Sequence, residues 1–417
     1  MTLETNPPNP QAALTRSKIG LAILRLKKNE EKRLKSGHQW IYSNEVDVKA
    51  TPLKQFTSGE QVLVEDSRGK PLGNAYINPN SLICARLFSR DAAIVLDKSL
   101  VVHRLNIALS IRDRIYSDQC YRLVYGDSDL LPGLVVDRYG KWIAVQINTA
   151  GMSAVKDDII AAIDQVLKPE AILLSYDSTM AKLEGLEELA PEVVKGEMPE
   201  WVSLRENGID FEAPILKGQK TGWYYDHRDN RARLKHYADG KRVLDVFSYV
   251  GGWGVQAACF GASDVMCVDS SEYALDGVER NAKLNKVASR VSTLQGDAFK
   301  ALTELKAAEE RFDVVIIDPP AFIKRKKDAK KGIEGYRRIN ELGMRLLNRD
   351  GILVSASCSM HLGKDELQNQ IRGAGRHLDR FVQLLERGGQ GADHPVHPSI
   401  PETDYLKAIY CRVLAGI

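Results

Sequence analysis

Residues 242–254 read RVLDVFSYVGGWG, a short apolar strand running into Ser248-Tyr249-Val250-Gly251-Gly252-Trp253-Gly254 before a helix opens near Val255. Glycines at such a turn let the backbone approach a ligand closely, and a helix N-terminus offers free N–H groups. The spacing is not GxGxxG, so a dinucleotide pyrophosphate cradle is not expected, and the glycines alone also fit a merely tight strand-to-helix turn. Working outward, apolar strands alternate with helical stretches from about Phe211 to the end, the pattern of a parallel sheet. Strands are expected at 242–247, 264–269, 291–295, 313–318, 351–357 and 381–385, with a late one at 407–413. The fold class is α/β: a mostly parallel, doubly wound, Rossmann-like sheet whose ligands sit beyond the strand carboxyl ends.

Upstream the character differs. Short apolar alternations at 61–64, 72–76 and 82–88, divided by Ser67-Arg68-Gly69 and Asn78-Pro79-Asn80, predict a small β-rich module. A helix over 98–116, a hairpin within 124–148, a helix over 154–166 and a strand over 171–176 predict a compact α/β unit. The expected division is therefore a disordered leader at 1–17, a β-rich domain at 18–95, a central α/β domain at 96–205 and the catalytic domain at 206–417. Among 417 residues, 58 Lys plus Arg stand against 55 Asp plus Glu, so only local patches can argue for nucleic acid. No apolar run nears the roughly 18 residues that span a bilayer, and residues 1–18 lack a signal-peptide core, which predicts a cytoplasmic protein without membrane association. The six cysteines form no CxxC pair and no metal-binding cluster, so neither a disulfide framework nor a metal is expected.

Acidic residues recur at successive strand ends: Asp245, Asp269, Asp297 and Asp318. A carboxylate after the second strand, Asp269, can accept both hydroxyls of a ribose, and Asp297, beside Ala298 and Phe299, is placed to meet an adenine. Any one of them also suits a helix N-cap; four in register argue for a nucleoside cofactor. The fourth strand ends in Asp318-Pro319-Pro320-Ala321-Phe322, a stiff loop with few donors, in which Phe322 is either a stacking face for a base or a core ring. Lys324, Arg325 and Lys326 follow at once, a run that is either a solvated face or a phosphate contact. The fifth strand ends at Cys358, beside Asp318 if neighbouring strands are adjacent. A buried thiol usually serves packing. Next to a carboxylate it suits methyl transfer to carbon 5 of cytosine, which becomes nucleophilic only after a thiolate adds to carbon 6. Asp318 would then stabilise the adduct through the ring nitrogen and amine.

GHQWIYSNEV (37–46), YGDSDLLPGLVVDRYG (125–140), GQKTGWYYDHRDNR (218–231), DVFSYVGGWG (245–254), DPPAF (318–322), SASCS (355–359) and ADHPVHP (392–398) together resemble the large-subunit ribosomal RNA cytosine-5 methyltransferase I family. The resemblance spans nearly all of the chain after residue 20. It implies an N-terminal PUA domain, a central linking domain, a class I methyltransferase domain, S-adenosylmethionine as cofactor and 23S ribosomal RNA as partner; a homodimer is left open. Carried across by motif, Cys358 is the nucleophile with Asp318 beside it. The cofactor set becomes Asp245, Phe247, Gly251, Asp269, Asp297, Ala298, Asp318 and Pro319, with Thr221, Gly222, Tyr225, Asp226 and Arg228 in the segment lying over the methionine moiety. In the N-terminal domain, Lys27 and Lys28 belong to a basic stretch leading into His38 and Trp40, all expected to contact RNA. Where related enzymes carry a second cysteine this chain has Pro320-Ala321, which leaves release of the adduct open. Two alternatives remain: methylation of an exocyclic amine, which needs no thiol, and a non-catalytic RNA-binding assembly factor.

Overall fold

The computed structural model describes residues 15–187 and 190–415. Short strands broken by turn formers build the first sheet: β1 (Ala22–Arg25), β2 (Trp40–Tyr42), β3 (Gln61–Glu65), β4 (Pro71–Ile77) and β5 (Ile83–Ser89), ordered β1-β3-β4-β5-β2. Leu24, Ile41, Val62, Val64 and Ile77 form its core. The leader expected over 1–17 falls mostly outside the described residues, but its end is part of this sheet. The Ile23 amide donates to the Thr15 carbonyl at 3.0 Å, and Arg16 bridges to Ala22.

The central sheet comprises β6 (Cys120–Tyr125), β7 (Leu134–Tyr139), β8 (Trp142–Ile147), β9 (Ala171–Tyr176) and β10 (Glu192–Lys195), ordered β10-β9-β8-β7-β6. Its longer helices are Lys98–Ile115 and Lys156–Leu167, close to the expected spans; β6 and β10 were not foreseen. Next comes a hairpin, β11 (Trp201–Glu206) with β12 (Ile209–Pro214). Asn207 and Gly208 turn it with φ of +55° and +80°, the left-handed pair that an Asn-Gly hairpin requires. The boundary expected at residue 206 would cut this hairpin in two. It packs on the catalytic half, where the Asn281 side chain accepts from the Glu212 amide and donates to the Glu212 and Val250 carbonyls.

The last sheet carries β13 (Arg242–Val246), β14 (Asp264–Asp269), β15 (Val291–Gln295), β16 (Phe312–Ile317), β17 (Leu347–Ser357), β18 (Arg380–Gly388) and β19 (Lys407–Ala415) in the order β15-β14-β13-β16-β17-β19-β18. The first five are parallel and β19 runs antiparallel to both neighbours. Val243, Leu244, Val315 and Ile316 are fully buried, as the continuous apolar runs of a sheet covered on both faces demand. Chain order reverses between β13 and β16, which opens a crevice at their carboxyl ends.

Candidate active site

A cavity of about 310 Å³ lies in that crevice. After β13 the chain turns sharply, with Phe247 at φ +66° and Tyr249 at +49°, conformations that L-residues adopt only under constraint. The constraint is visible. The Phe247 and Ser248 amides both donate to the Val268 carbonyl, and the Tyr249 amide donates to Asp269 Oδ2 at 2.9 Å. Asp269 Oδ1 accepts the Ser271 amide, so two backbone donors fix this carboxylate at the cavity wall. Asp245 is wholly buried beneath the turn and accepts the Gly254 amide at 2.8 Å through one oxygen. Burial, reinforced by the Asp318 and Asp269 charges against that hydrogen bond, pushes its carboxyl up to about 7.

Asp318 and Cys358 face the same cavity from the ends of β16 and β17. The Cys358 thiol points at the Pro319 carbonyl, 4.0 Å away. Asp318 accepts the Trp253 indole N–H at 3.0 Å and pairs with His227 Nε2 at 3.2 Å. Burial works against charge on His227, but Asp318 and Asp226 outweigh it, so the imidazole titrates above its ordinary value. For Cys358, burial and then the Asp318 charge push the thiol up to about 11, with Lys220 opposing. Lys407, also buried, donates to the Ser359 and Tyr405 carbonyls at 2.6 Å and so clamps the Cys358 loop to the start of β19; burial brings its ammonium down to about 8.

His227, Trp253 and Lys407 were not singled out from sequence. His227 lay inside the quoted GQKTGWYYDHRDNR segment, but its pairing with Asp318 spans 91 positions, 227 to 318, and no local pattern reports that. Several expected positions do not line this cavity. The Tyr225 hydroxyl donates to the Arg138 carbonyl, Thr221 bonds Asp137, and Arg228 reaches the Cys120 carbonyl and lies over the Tyr116 ring. These three side chains join the catalytic and central domains. Gly222 offers its carbonyl to the Tyr249 hydroxyl, while Asp226, Phe247 and Pro319 are in the wall. Gly252, not Gly251, faces the cavity. Asp297 caps the helix Ala298–Ala307 by accepting the Lys300 amide, and neither it nor Ala298 reaches the wall.

The N-terminal candidates also divide. Lys27 donates to the Asn44 carbonyl and Lys28 is exposed. Trp40 instead donates its indole N–H to Asp127 of the central domain at 2.7 Å, and buried His38 accepts the Trp40 amide. This motif thus also joins the N-terminal sheet to the central domain, with Trp40 half-exposed. Phe322 packs on Tyr336 with ring centroids 4.8 Å apart, and Lys324, Arg325 and Lys326 are exposed beside it.

The donor set fits a nucleoside sulfonium. Asp269, its carboxylate fixed in the wall by two backbone amides, leaves lone pairs for a diol, Phe247 and Tyr249 supply apolar wall, and Asp226 Oδ1 and Ser248 Oγ, on residues that line the cavity, are buried polar atoms without a hydrogen-bond partner among the described residues. Residues 185–412 match the S-adenosylmethionine-dependent methyltransferase family model and residues 24–90 a PUA-like domain. The protein named ribosomal RNA large subunit methyltransferase I from Cronobacter sakazakii is 38% identical over 398 residues, covering 93% of this chain and 98% of that protein; the Escherichia coli O157:H7 protein of the same name is 38% identical over 395 residues with the same coverage. A protein from Streptococcus mutans described as a SAM-dependent methyltransferase superposes with a TM-score of 0.78 at 21% identity, over 93% of this chain and all of that one, and a methyltransferase fold solved with SAH superposes at 0.80 and 21%, over 94% and 99%. These two likenesses establish the fold. The acidic strand ends, the PUA-like sheet and the near-complete match to the curated relatives converge: this chain belongs to the ribosomal RNA large subunit methyltransferase I family and depends on S-adenosylmethionine.

Proposed function

We propose that the protein methylates carbon 5 of a cytosine in 23S ribosomal RNA, with Cys358 as nucleophile and Asp318 as the residue that holds the base. The observation that carries this reading is the meeting of a thiol and a carboxylate, from adjacent strand ends, in the wall of the cavity that also holds Asp269. Bound there, S-adenosylmethionine supplies an electrophilic methyl group. The chain's own residues do the rest. Asp318 fixes the ring nitrogen and amine, and neutralising its charge on a base removes one of the causes, after burial the largest, that push the thiol up. The Cys358 thiol gives its proton to water as its sulfur bonds carbon 6, and the Asp318–His227 pair lends a proton to the ring nitrogen, which places the electron pair on carbon 5; the thiolate released at the end takes a proton back from water. After carbon 5 is methylated, it loses its proton to a base, the carbon–sulfur bond breaks, and the ring nitrogen returns its proton.

Cys358→Ala is expected to abolish turnover while leaving S-adenosylmethionine affinity, read by calorimetry, within about twofold, because the thiol acts on the base. RNA carrying 5-fluorocytosine at the target should trap a covalent complex with the wild type alone, since fluorine cannot leave as the proton does. Full activity in the variant overturns the cytosine-5 reading. A second reading, methylation of an exocyclic amine, is favoured by the burial and the Asp318 charge that push the Cys358 thiol up to about 11, since such chemistry needs no thiolate. A nitrogen-methylated product from Cys358→Ala would decide for that reading.

A further inference from the structure

A second cavity, of about 890 Å³, lies between helix Ser178–Glu184 of the central domain and the start of helix Ala329–Leu346 of the catalytic domain. Among the described residues its wall holds Lys324, Arg325 and Lys331 with one acid, Asp328, which Arg325 pairs at 3.2 Å. Its apolar surface is Phe299, Phe322 and Leu183, the last 64% exposed. Phe322 has solid backing: Tyr336 lies behind it, and a Cβ on Gly335 would stand 3.2 Å from its ring, so the bare helix face gives the ring its seat. The two cavities share one loop. Asp318 to Ala321 line the first, and Phe322, the next residue, lines the second.

We propose that this second cavity receives the nucleotide next to the target in a single-stranded stretch of RNA, its base against Phe322, Phe299 and Leu183 and its phosphate among Lys324, Arg325 and Lys331. The inference rests on the RNA-methylating reading and adds the central domain to the substrate site. The chemistry requires it to be so placed: a base whose carbon 6 meets Cys358 must leave its stack, and its neighbour then presents a bare face and a phosphate one nucleotide away. An aromatic and aliphatic floor rimmed by excess positive charge matches that pair of groups.

The test uses the full chain with Leu183→Asp and Lys331→Glu combined, both at exposed positions. Anisotropy of a short fluorescein-labelled oligocytidylate should report an affinity about tenfold weaker than wild type, and the slope of log affinity on log salt should be shallower by at least about 0.7. S-adenosylmethionine affinity and the melting temperature should not move. Unchanged RNA affinity and slope, in a protein whose wild type methylates ribosomal RNA, overturns the cavity assignment and leaves the function standing. Weakened RNA binding with no methyl transfer by the wild type does the reverse. Binding of poly-L-glutamate as tight as RNA, and lost in the same variant, overturns the choice of RNA as occupant.

Discussion

Asp318 has two opposed effects on Cys358. Its charge pushes the Cys358 thiol up, and in the proposed reaction its carboxyl holds the base. Asp318→Asn therefore separates them: alkylation of Cys358 by iodoacetamide near pH 8, followed by mass spectrometry of its peptide, should speed up about threefold or more as the thiol pKa falls. Methyl transfer should drop by at least about 100-fold. Slower or unchanged alkylation would remove Asp318 as the cause of the raised thiol. Asp245 supports a prediction against pH. Its carboxyl moves from 3.8 to about 7 on folding, so the folded chain holds a proton that the unfolded chain has released between those values. The contribution favouring the fold is complete below 3.8 and lost as pH rises through about 7. Asp245→Asn keeps an oxygen for the Gly254 amide without the charge. In ligand-free protein it should melt higher than wild type by at least about 2 °C near pH 8, with the difference closing as pH falls toward 4. A difference independent of pH would refute the assignment. Asp269, expected from its strand-end place, is in the cavity wall, whereas Asp245, expected in the same cofactor set, is buried beneath the turn and outside that wall. His227 was not expected, because its role comes from a contact across the cavity.

The element that sets the site is the six-residue helix Gly254–Cys259 with the turn before it. A Cβ on Gly254 would stand 2.4 Å from Cys267 Sγ on β14 and 3.1 Å from Asp245 Oδ2, so the helix sits this close to the sheet only with glycine there. Gly254→Ala should cost about 1–3 kcal/mol of stability, read by denaturant melts, and weaken S-adenosylmethionine binding by displacing the donor to Asp245. Adding Cys267→Ala removes the atom in the way and should restore part of both. No rescue would place the strain elsewhere. The sequence pointed to this turn through its glycines, and to β13 and β16 through their apolar runs. It also carried a hairpin signal in Asn207-Gly208 whose reading would have placed β11 and β12 together. The Asp297 cap went the other way: a residue in register with a functional series is bonded to its own helix.

Across the molecule, the three sheets are joined by buried polar contacts. Trp40 reaches Asp127, the Tyr76 hydroxyl donates to the Pro132 carbonyl at 2.7 Å, and Arg86 pairs with Glu184 at 3.1 Å, fixing the N-terminal sheet on the central domain. Arg122 pairs with Asp137, which also accepts from Thr221, and Arg112 reaches the Asp393 carbonyl, fixing the central domain on the catalytic one. Trp40→Phe leaves the half-buried Asp127 carboxyl without its indole donor and should cost about 1 kcal/mol. Trypsin should then cut faster near Arg90 and Lys98, and affinity for RNA should fall, with S-adenosylmethionine affinity unchanged. Unaltered proteolysis would show that the joint does not depend on Trp40.

By itself the sequence determined the α/β class, the carboxyl-end crevice, the β-rich module before it and the line of acidic strand ends, because strand period, turn residues and strand-end positions are local properties of the chain. Only the tertiary structure decided which motif residues face the cavity. Tyr225, Arg228 and Trp40 carry the chemistry of binding residues, yet their partners, Arg138, Cys120 and Asp127, lie on another domain. The meeting of Cys358, Asp318 and His227 likewise depends on strand order and on a loop folding back over the sheet, and no spacing along the chain encodes a contact made between its distant parts.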